Sequence, residues 1–537
     1  MTGLQACYKT KNKGRKLESE NKRGLGKMKL FTPQAMHDVD STAINTYGIP
    51  GVLLMEHAAY NVFKFIKKNF DSKKILILCG AGNNGGDGFA LTRQLSLWSN
   101  CKVKTVLLSA PKKLTGDAKC YYDICQNTGL SIISYEEKLK KDIFNYIDEY
   151  DVIVDSIFGT GLGRDITGVY AEIIDKLNDS NAYVISVDIP SGIDGLTGKV
   201  RGVSVEADTT ITFVAPKVGM YLYPAPLYVG NLIIADIGMP NQIVEEASTA
   251  YYSTEDLDAR ELLPKRSMRS NKGTYGKVLT IGGQLSMSGA ISMTSMAAYR
   301  MGCGTVTAVV PNSILEIMQC KLTEVMAIGI ESTDGHFSNN AYCSINSLLP
   351  KYDVIAIGPG MGRDDANIEI IRSVIKENKP LVIDADALFF LAKFEKELKA
   401  RTIPAIITPH PGEMSRIIGK PIDVIIENPI DIVTYCSQRF GVIAVLKLEK
   451  TVIADISGHI YINRYGNSGL AKGGSGDALT GIITGLLAQN MRPIDAARLG
   501  VYIHAKSGDY AKEKYSEYSF LASDTINFIG NVINKLI

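Results

Sequence analysis

Doubly wound α/β architecture is predicted for this 537-residue chain from three observations. Short strand-like apolar runs alternate with stretches of helical periodicity from residue 30 to the C-terminus, the pattern that parallel sheets with crossover helices impose. Glycine-rich turns follow several of those runs, where strand hands over to helix. The alternation lapses once, around 241–270, where Glu, Ser, Asp and Arg dominate, and then resumes. The expected organisation is an extension at 1–29, a first α/β domain at 30–245, a linker at 246–264 and a second α/β domain at 265–537.

The elements follow in order. In 33–46, Met36, Val39, Ala43 and Ile44 fall on one helical face, and in 51–68 so do Val52, Met55, Ala59, Val62, Phe63 and Ile66, which predicts two amphipathic helices. Strands are expected at Ile75–Cys79, Val103–Leu108, Val152–Asp155, Tyr183–Asp188, Thr210–Val214 and Leu232–Asp236. The second series begins at Lys277–Ile281 and continues through Val306–Val310, Val354–Ile357, Leu381–Asp384, Ala405–Thr408 and Val442–Leu446. Thr451–Asp455 and His459–Ile462, joined by Ser457-Gly458, read as a hairpin. Each half thus has its own sheet, and each is expected to fold and work alone.

Composition narrows the function class. Apolar residues are 45% and charged residues 21%, near the averages for globular proteins. Net charge is only +2, which does not point to a nucleic-acid partner. Residues 1–29 carry nine basic and two acidic side chains, so the extension is a basic tail, read as disordered rather than as a transit peptide because it lacks amphipathic spacing and holds Glu18 and Glu20. No apolar stretch reaches membrane-spanning length. The nine Cys form no C-x-x-C pair and the six His show no ligand spacing, so reduced thiols in the cytoplasm are expected rather than disulfides or zinc.

Chemistry is concentrated in two places. The first strand runs into Gly80-Ala81-Gly82-Asn83-Asn84-Gly85-Gly86-Asp87-Gly88, with a helix expected to start near Phe89. Small residues let backbone approach a ligand, and a helix N-terminus offers free N–H groups to a phosphate. Two further strands end in acid plus glycine, at Asp155-Ser-Ile-Phe-Gly159-Thr160-Gly161-Leu162-Gly163-Arg164-Asp165 and at Asp188-Ile-Pro-Ser191-Gly192. C-terminal strand ends of a parallel sheet converge on one crevice. Asp155, Asn84 and Ser191 are a hard-oxygen set suited to a cation, although each Asp alone also reads as a turn cap.

Those runs, with TFVAPKVG at 212–219, resemble the NAD(P)H-hydrate epimerase family in the right order over residues 30–240. The resemblance implies a Rossmann-like doubly wound fold that interconverts the R and S epimers at C6 of hydrated NADH or NADPH. It implies hydrate binding by Asn83, Asn84, Gly85, Gly86, Asp87, the run Gly159–Asp165 and Asp188, and a potassium ion at Asn84, Asp155 and Ser191. Asp188 is the candidate base. Lys217 is its possible charge partner, or else a phosphate-binding or surface lysine.

The second place is Gly466-Asn467-Ser468-Gly469-Leu470-Ala471-Lys472-Gly473-Gly474-Ser475-Gly476-Asp477, followed by an apolar helix. Glycines at a helix N-terminus form an anion hole, and an acid beside it is placed to deprotonate a hydroxyl that attacks a terminal phosphate. The bland reading of Asp477 is an acid favoured by the helix dipole. With Gly282-Gly283, Gly358–Gly362, Asp384–Leu388, Thr408–Glu413 and Lys447–Thr451, the run resembles the ribokinase-like ADP- or ATP-dependent NAD(P)H-hydrate dehydratases over 265–537. The resemblance implies that Ala290, Gly362, His410 and Asp477 face the hydrate. It assigns Lys447, Leu448, Glu449, Lys450, Thr451 and Gly476 to the adenine nucleotide, which brings Mg2+. Leu448, where the family usually has Gly, and Gln284, where it usually has Ser, depart from the pattern.

Together the two resemblances imply a metabolite-repair enzyme, an isomerase and lyase in one chain, acting on small molecules without nucleic acid or membrane, and a homo-oligomer. Fusion in one chain is like the bacterial and archaeal forms, which implies ADP. The alternatives are a ribokinase-like small-metabolite kinase fused to a non-catalytic binding domain, and a scaffold protein. An epimerase-like half has no purpose in a kinase, and intact Asn84, Asp155, Asp188 and Ser191 argue against a scaffold.

Overall fold

The structure, a computed structural model, describes residues 28–136 and 139–537. The basic tail up to Lys27, with Cys7, lies outside the described residues. Seven strands form the first sheet, all parallel, in the order Ile132–Ser134, Lys102–Leu107, Lys74–Cys79, Val152–Ser156, Tyr183–Val187, Thr209–Phe213, Asn231–Ala235. The chain winds one way from Lys74–Cys79 and the other way from Val152–Ser156. The crevice at that reversal, above Cys79 and Ser156, is where a doubly wound sheet places a ligand.

Alternate residues of each strand enter different apolar clusters. Ile75, Ile77 and Cys79 pack under the helices Pro33–Asn45, Gly51–Phe70 and Asn83–Trp98, while Leu76 and Leu78 pack under Lys140–Glu149 and Val169–Asn178. Both faces are buried, so the strands read as unbroken apolar runs. The first helix begins at Pro33 after Thr32, whose hydroxyl accepts from Ala35 N at 3.0 Å. Its buried face is Met36, Val39 and Ala43. Ile44, expected there, is 40% exposed, because it falls near the edge of that stripe.

The second sheet has eleven strands, ordered Met28–Leu30, Tyr251–Ser253, Ile460–Ile462, Val452–Ala454, Ile443–Leu446, Ile406–Ile407, Leu381–Ile383, Val354–Ile357, Lys277–Ile281, Thr305–Pro311, Met326–Ile330. Its parallel part reverses between Lys277–Ile281 and Val354–Ile357, and the expected hairpin pairs Val452–Ala454 with Ile460–Ile462.

Two expectations change here. Met28 and Lys29, assigned to the tail, form a strand with Leu30, antiparallel to Tyr251–Ser253. The segment 246–264, expected as a linker, contributes that strand and the helix Asp256–Leu262. Three-residue edge strands have too few residues to show periodicity. The consequence is structural: Met28–Leu30 belongs to the second sheet, and from there the chain enters the first domain. One apolar cluster contains Leu30, Ile189, Val218 and Met220 together with Leu279, Ile355 and Ile407. The halves are therefore not independent bodies. Glu255 accepts from Arg464 Nε at 2.9 Å and Nη2 at 2.7 Å, and Asp256 accepts from Tyr502 Oη at 2.8 Å. A fragment beginning at 249 is therefore expected to melt several degrees above one beginning at 265, which loses the Tyr251–Ser253 strand and these bonds; equal midpoints in a thermal scan would show that the segment is a mere tether.

Candidate active sites

The helix after the first strand begins at Asn83, six residues before Phe89, so the Asn-Asn-Gly-Gly-Asp-Gly run is itself helical. Its glycines serve contact as much as ligand approach. A Cβ on Gly85 would stand 2.0 Å from Gly80 O, and one on Gly88 would stand 2.6 Å from Cys79 Sγ. The helix thus lies directly on its strand, and Asn84 is driven into the interior, 8% exposed, with neither amide atom partnered. Asp155, fully buried, accepts from Ser191 Oγ at 2.5 Å, Ser191 N at 2.9 Å, Ser186 Oγ at 2.8 Å and Ile157 N at 3.2 Å. Burial pushes its carboxyl up in spite of the hydrogen bonds from Ser191 and Ser186. Gly161, Gly163, Arg164 and Asp165 form an exposed rim, with Gly159 against Asn84 and Thr160 and Leu162 half-buried.

Asp188 sits at the end of its strand with φ +65°, a left-handed conformation costly for a non-glycine residue. Its Oδ1 accepts from Lys217 Nζ and, at 3.1 Å, from Thr212 Oγ1. Lys217 is not a surface lysine: its side chain is 1% exposed, and Nζ also donates to Thr212 Oγ1 at 2.8 Å. Two more carboxylates approach this pair. Burial, then the charges of Asp188 and Asp40, push Asp87 well above its ordinary range, and burial pushes Asp40 up to about 6. Asp40 was not singled out in the sequence, where an acid on an amphipathic helix reads as surface.

At the second site the helix Ser475–Leu487 begins after Gly474, with Asp477 in its first turn. Lys447 Nζ lies 3.1 Å from Asp384 Oδ1 and 3.8 Å from Glu413 Oε2, and Thr480 Oγ1 donates to Asp384 Oδ2 at 2.7 Å. A Cβ on Gly476 would meet Lys447 Nζ at 3.1 Å, so the ammonium lies at the helix N-terminus itself. Burial works against the charge on Lys447, yet Asp384 and Glu413 hold it above its ordinary value. Burial and Asp384 push Asp477 up to about 7, with Lys447 opposing.

The residues that the resemblance assigns to the hydrate lie on separate elements, each with its own neighbours. The helix Ser288–Arg300, which carries Ala290, touches the helix bearing Asp477 through Thr294 Oγ1 to Asp477 O at 3.1 Å. Gly362 N donates to Asp386 Oδ2 at 3.0 Å. His410 caps its helix, Nδ1 accepting from Gly412 N at 3.0 Å, while Glu413 Oε2 accepts from His410 N at 2.8 Å. The lysine loop divides. Lys447 turns to the acids, Lys450 Nζ donates to Arg464 O at 2.6 Å, Leu448 packs on the core, and Glu449 is exposed with Thr451 half-buried. Gln284 fills the space beside Gly362, where a Cβ would meet its Oε1 at 2.3 Å. Lys472 is structural: Nζ donates to Tyr518 O at 2.9 Å and Phe520 O at 2.7 Å.

Known proteins resemble this chain over both halves. A family model described as YjeF-related protein N-terminus matches residues 52–219, and one described as NAD(P)H-hydrate dehydratase matches 278–530. A bifunctional NAD(P)H-hydrate repair enzyme of Moorella thermoacetica is 37% identical over 95% of this chain and 97% of its own length. The one from Coxiella burnetii is 33% identical over 94% and 99%. The crystal structure of an ADP/ATP-dependent NAD(P)H-hydrate dehydratase from Bacillus subtilis, co-crystallised with ATP/Mg2+, is 28% identical over 53% of this chain and 98% of that one, with a TM-score of 0.48.

Asp155 generates the prediction for this part of the molecule. Replacing it by Ala strands four donors in the interior, at a cost of about 1–3 kcal/mol for each that finds no new partner. Asp155→Ala is expected to lower the melting midpoint by several degrees, and potassium at about 0.1 M, close to physiological ionic strength, is expected not to restore it. Full rescue by potassium would make Asp155 a cation ligand alone.

Proposed function

This chain belongs to the family of bifunctional NAD(P)H-hydrate repair enzymes, and from that premise we propose which side chains act at each site. The enzyme epimerises the R and S hydrates of NADH and NADPH and dehydrates the hydrate in a nucleotide-dependent reaction; the alternative of a kinase with an inert binding domain is not favoured.

In the first domain, hydrate enters the crevice at the sheet reversal. Asp188, at the strand end and held by Lys217, stands as an anion against positive charge that develops on the ring when the C6 hydroxyl departs. Asn83–Asp87 and Gly159–Asp165 line the entrance. The unpartnered Asn84 amide, with Asp155 and Ser191, fits a hard monovalent cation, which suits the potassium that the resemblance implies. Such an ion would satisfy Asn84 and tie its helix to the Ser191 turn.

In the second domain the carrying observation is Asp477, one turn inside a helix whose free N–H groups face the phosphate cradle, with its carboxyl near neutrality. Asp477 takes the proton of the C6 hydroxyl as that oxygen attacks the terminal phosphate of the nucleotide. Phosphate then leaves from C6, a far better leaving group than hydroxide, and the dihydronicotinamide ring is restored. His410, fixed between Pro409 and Pro411 and by Gly412 N, orients the hydrate with Ala290 and Gly362. Lys447 and Gly476 face the phosphates, while Leu448–Thr451 flank the nucleotide. ADP is the proposed nucleotide, with AMP and phosphate released; ATP would give ADP. The carboxylate-lined cradle fits Mg2+ bound with the nucleotide, where the ion would screen phosphate charge.

A cytoplasmic homo-oligomer is the accompanying proposal. The eight described cysteines are all free, which suits a reducing compartment, and among the described residues no helix is long and apolar enough to cross a membrane.

Asp477→Asn is expected to cut nucleotide-dependent dehydration about 10²–10⁴-fold and to leave epimerisation intact. In the wild type, kcat/KM for dehydration should fall tenfold per pH unit below about 7, where Asp477 is protonated. Because folding raises this carboxyl, its effect on stability has the opposite sense: the native state loses stability as pH rises toward 7. The Asn variant should therefore be the more stable protein at pH 8, with the difference fading near pH 4. Near-normal dehydration by the variant would remove Asp477 from the reaction.

A further inference from the structure

The helix Pro33–Asn45 is fastened to the epimerase site at its start. Phe31 N donates to Pro216 O and Val218 N donates to Phe31 O, both at 3.0 Å, so the chain enters the helix against the two residues that flank Lys217. Pro33 packs on Gly195, where a Cβ would lie 3.0 Å from Pro33 Cγ. Along the helix, Met36, Val39 and Ala43 are buried, and helical spacing puts Asp40 on their inward face. Asp40 is half-buried.

The groups around it are few and of mostly one sign. Lys217 and Asp188 face it from the strand ends, Asp87 acts on the same carboxylate group from the helix Asn83–Trp98, and His37 stands one turn earlier on its own helix. On the outer side, the helix Asn241–Glu246 packs against the same element with Glu245 and Glu246 exposed, and Asp38 is bonded to Gln34 Nε2 at 2.8 Å. One buried ammonium is bonded to Asp188 and acts through its charge on Asp40 and Asp87. Such a group retains protons that isolated carboxyls would lose, and the protons belong to the cluster rather than to one residue. Burial, with Asp188 adding to it, brings Asp40 to about 6, where a carboxylic acid and its anion are both present in working amounts.

Resting on the reading of this crevice as the epimerase site, we propose that Asp40 is the second proton-transfer group of epimerisation, working opposite Asp188. Exchange of the C6 hydroxyl between faces requires one proton given and one taken. As the ring nitrogen pushes its lone pair toward C6, the C6–O bond breaks, and the Asp40 carboxylic acid gives its proton to the departing oxygen, which leaves as water. The cationic ring is held by the Asp188 carboxylate. Water adds to the other face, a new C6–O bond forms, and the surplus proton passes to Asp188. The enzyme then has Asp40 ionised and Asp188 protonated, the form that catalyses the reverse epimerisation; proton exchange through Asp87 or solvent resets it. No oxidant or second substrate enters.

The full-length chain supplies its own control, because dehydration uses the other domain. For Asp40→Asn, chromatographic separation of the epimers is expected to show kcat for epimerisation reduced about 10²-fold or more after the spontaneous rate is subtracted. KM should change little, and the limb near pH 6 in the wild-type profile should disappear. The melting midpoint should not fall below that of the wild type, and above pH 6 should lie somewhat higher because a carboxyl raised by folding is gone; the dehydration of the S hydrate should stay at its wild-type value, and Asp40→Glu should recover part of the rate. Turnover in H218O should label the C6 hydroxyl of both epimers. An Asp40→Asn enzyme with wild-type kcat and pH limb overturns the proposal, as does epimerisation without label, which would mean ring opening. A wild-type chain that fails to epimerise above the spontaneous rate overturns the epimerase assignment itself, a separate result.

Discussion

One lysine ammonium set against carboxylates organises each site. Lys217, 1% exposed, is too costly to bury without a counter-ion, so Asp188 is drawn to it and accepts a left-handed backbone to reach it. Lys447 repeats the arrangement with Asp384 and Glu413. Further acids stand beyond these ion pairs: Asp40 and Asp87 around the first lysine, Asp477 around the second. Burial is what raises these outlying acids first, and neighbouring carboxylates add to it against the pull of the lysine. That is how carboxyl groups come to titrate near neutrality, where proton transfer is useful.

Much of this was readable from residue order. Strands with both faces buried advertise themselves as apolar runs, and the glycine loops and strand-end acids Asp155, Asp188 and Asp384 mark where those runs stop. What could not be read was anything set by long-range approach. Asp40 looks like the polar side of an amphipathic helix until Phe31 is seen to pin that helix to residues 216–218. Lys217 looks equally suited to surface and interior. The start of the helix at Asn83 was misplaced because Gly85, Gly86 and Gly88 suggest a loop; their actual use is to let the helix lie on its strand and on Met55. The strands Met28–Leu30 and Tyr251–Ser253 have too few residues to announce themselves, and their pairing sets Met28 opposite Ser253 and Leu30 opposite Tyr251, far apart in the chain.

That pairing decides how the molecule moves. Linked domains rock when the interface between them is small and polar. Here Ile189 and Val218, neighbours in sequence of Asp188 and Lys217, share one apolar cluster with Leu279, Ile355 and Ile407 of the second sheet, and the chain crosses between the halves twice as hydrogen-bonded strand. Rocking would break core packing rather than slide a wet surface. Opening and closing over substrate therefore falls to the local loops. The Gly159–Asp165 rim is the element free to do so in the first domain: Gly161 and Gly163 have open space where a side chain would stand, and the rim hangs from a strand end that Asp155 and Ser191 hold fast. In the second domain the loop before Ser475 is tied at Lys472 and Asn467 and has open space only at Gly473. A shared core with two separate acid clusters suits an enzyme whose two reactions share a substrate but need different proton inventories, because each cluster keeps its tuned carboxyls whatever the other site is doing.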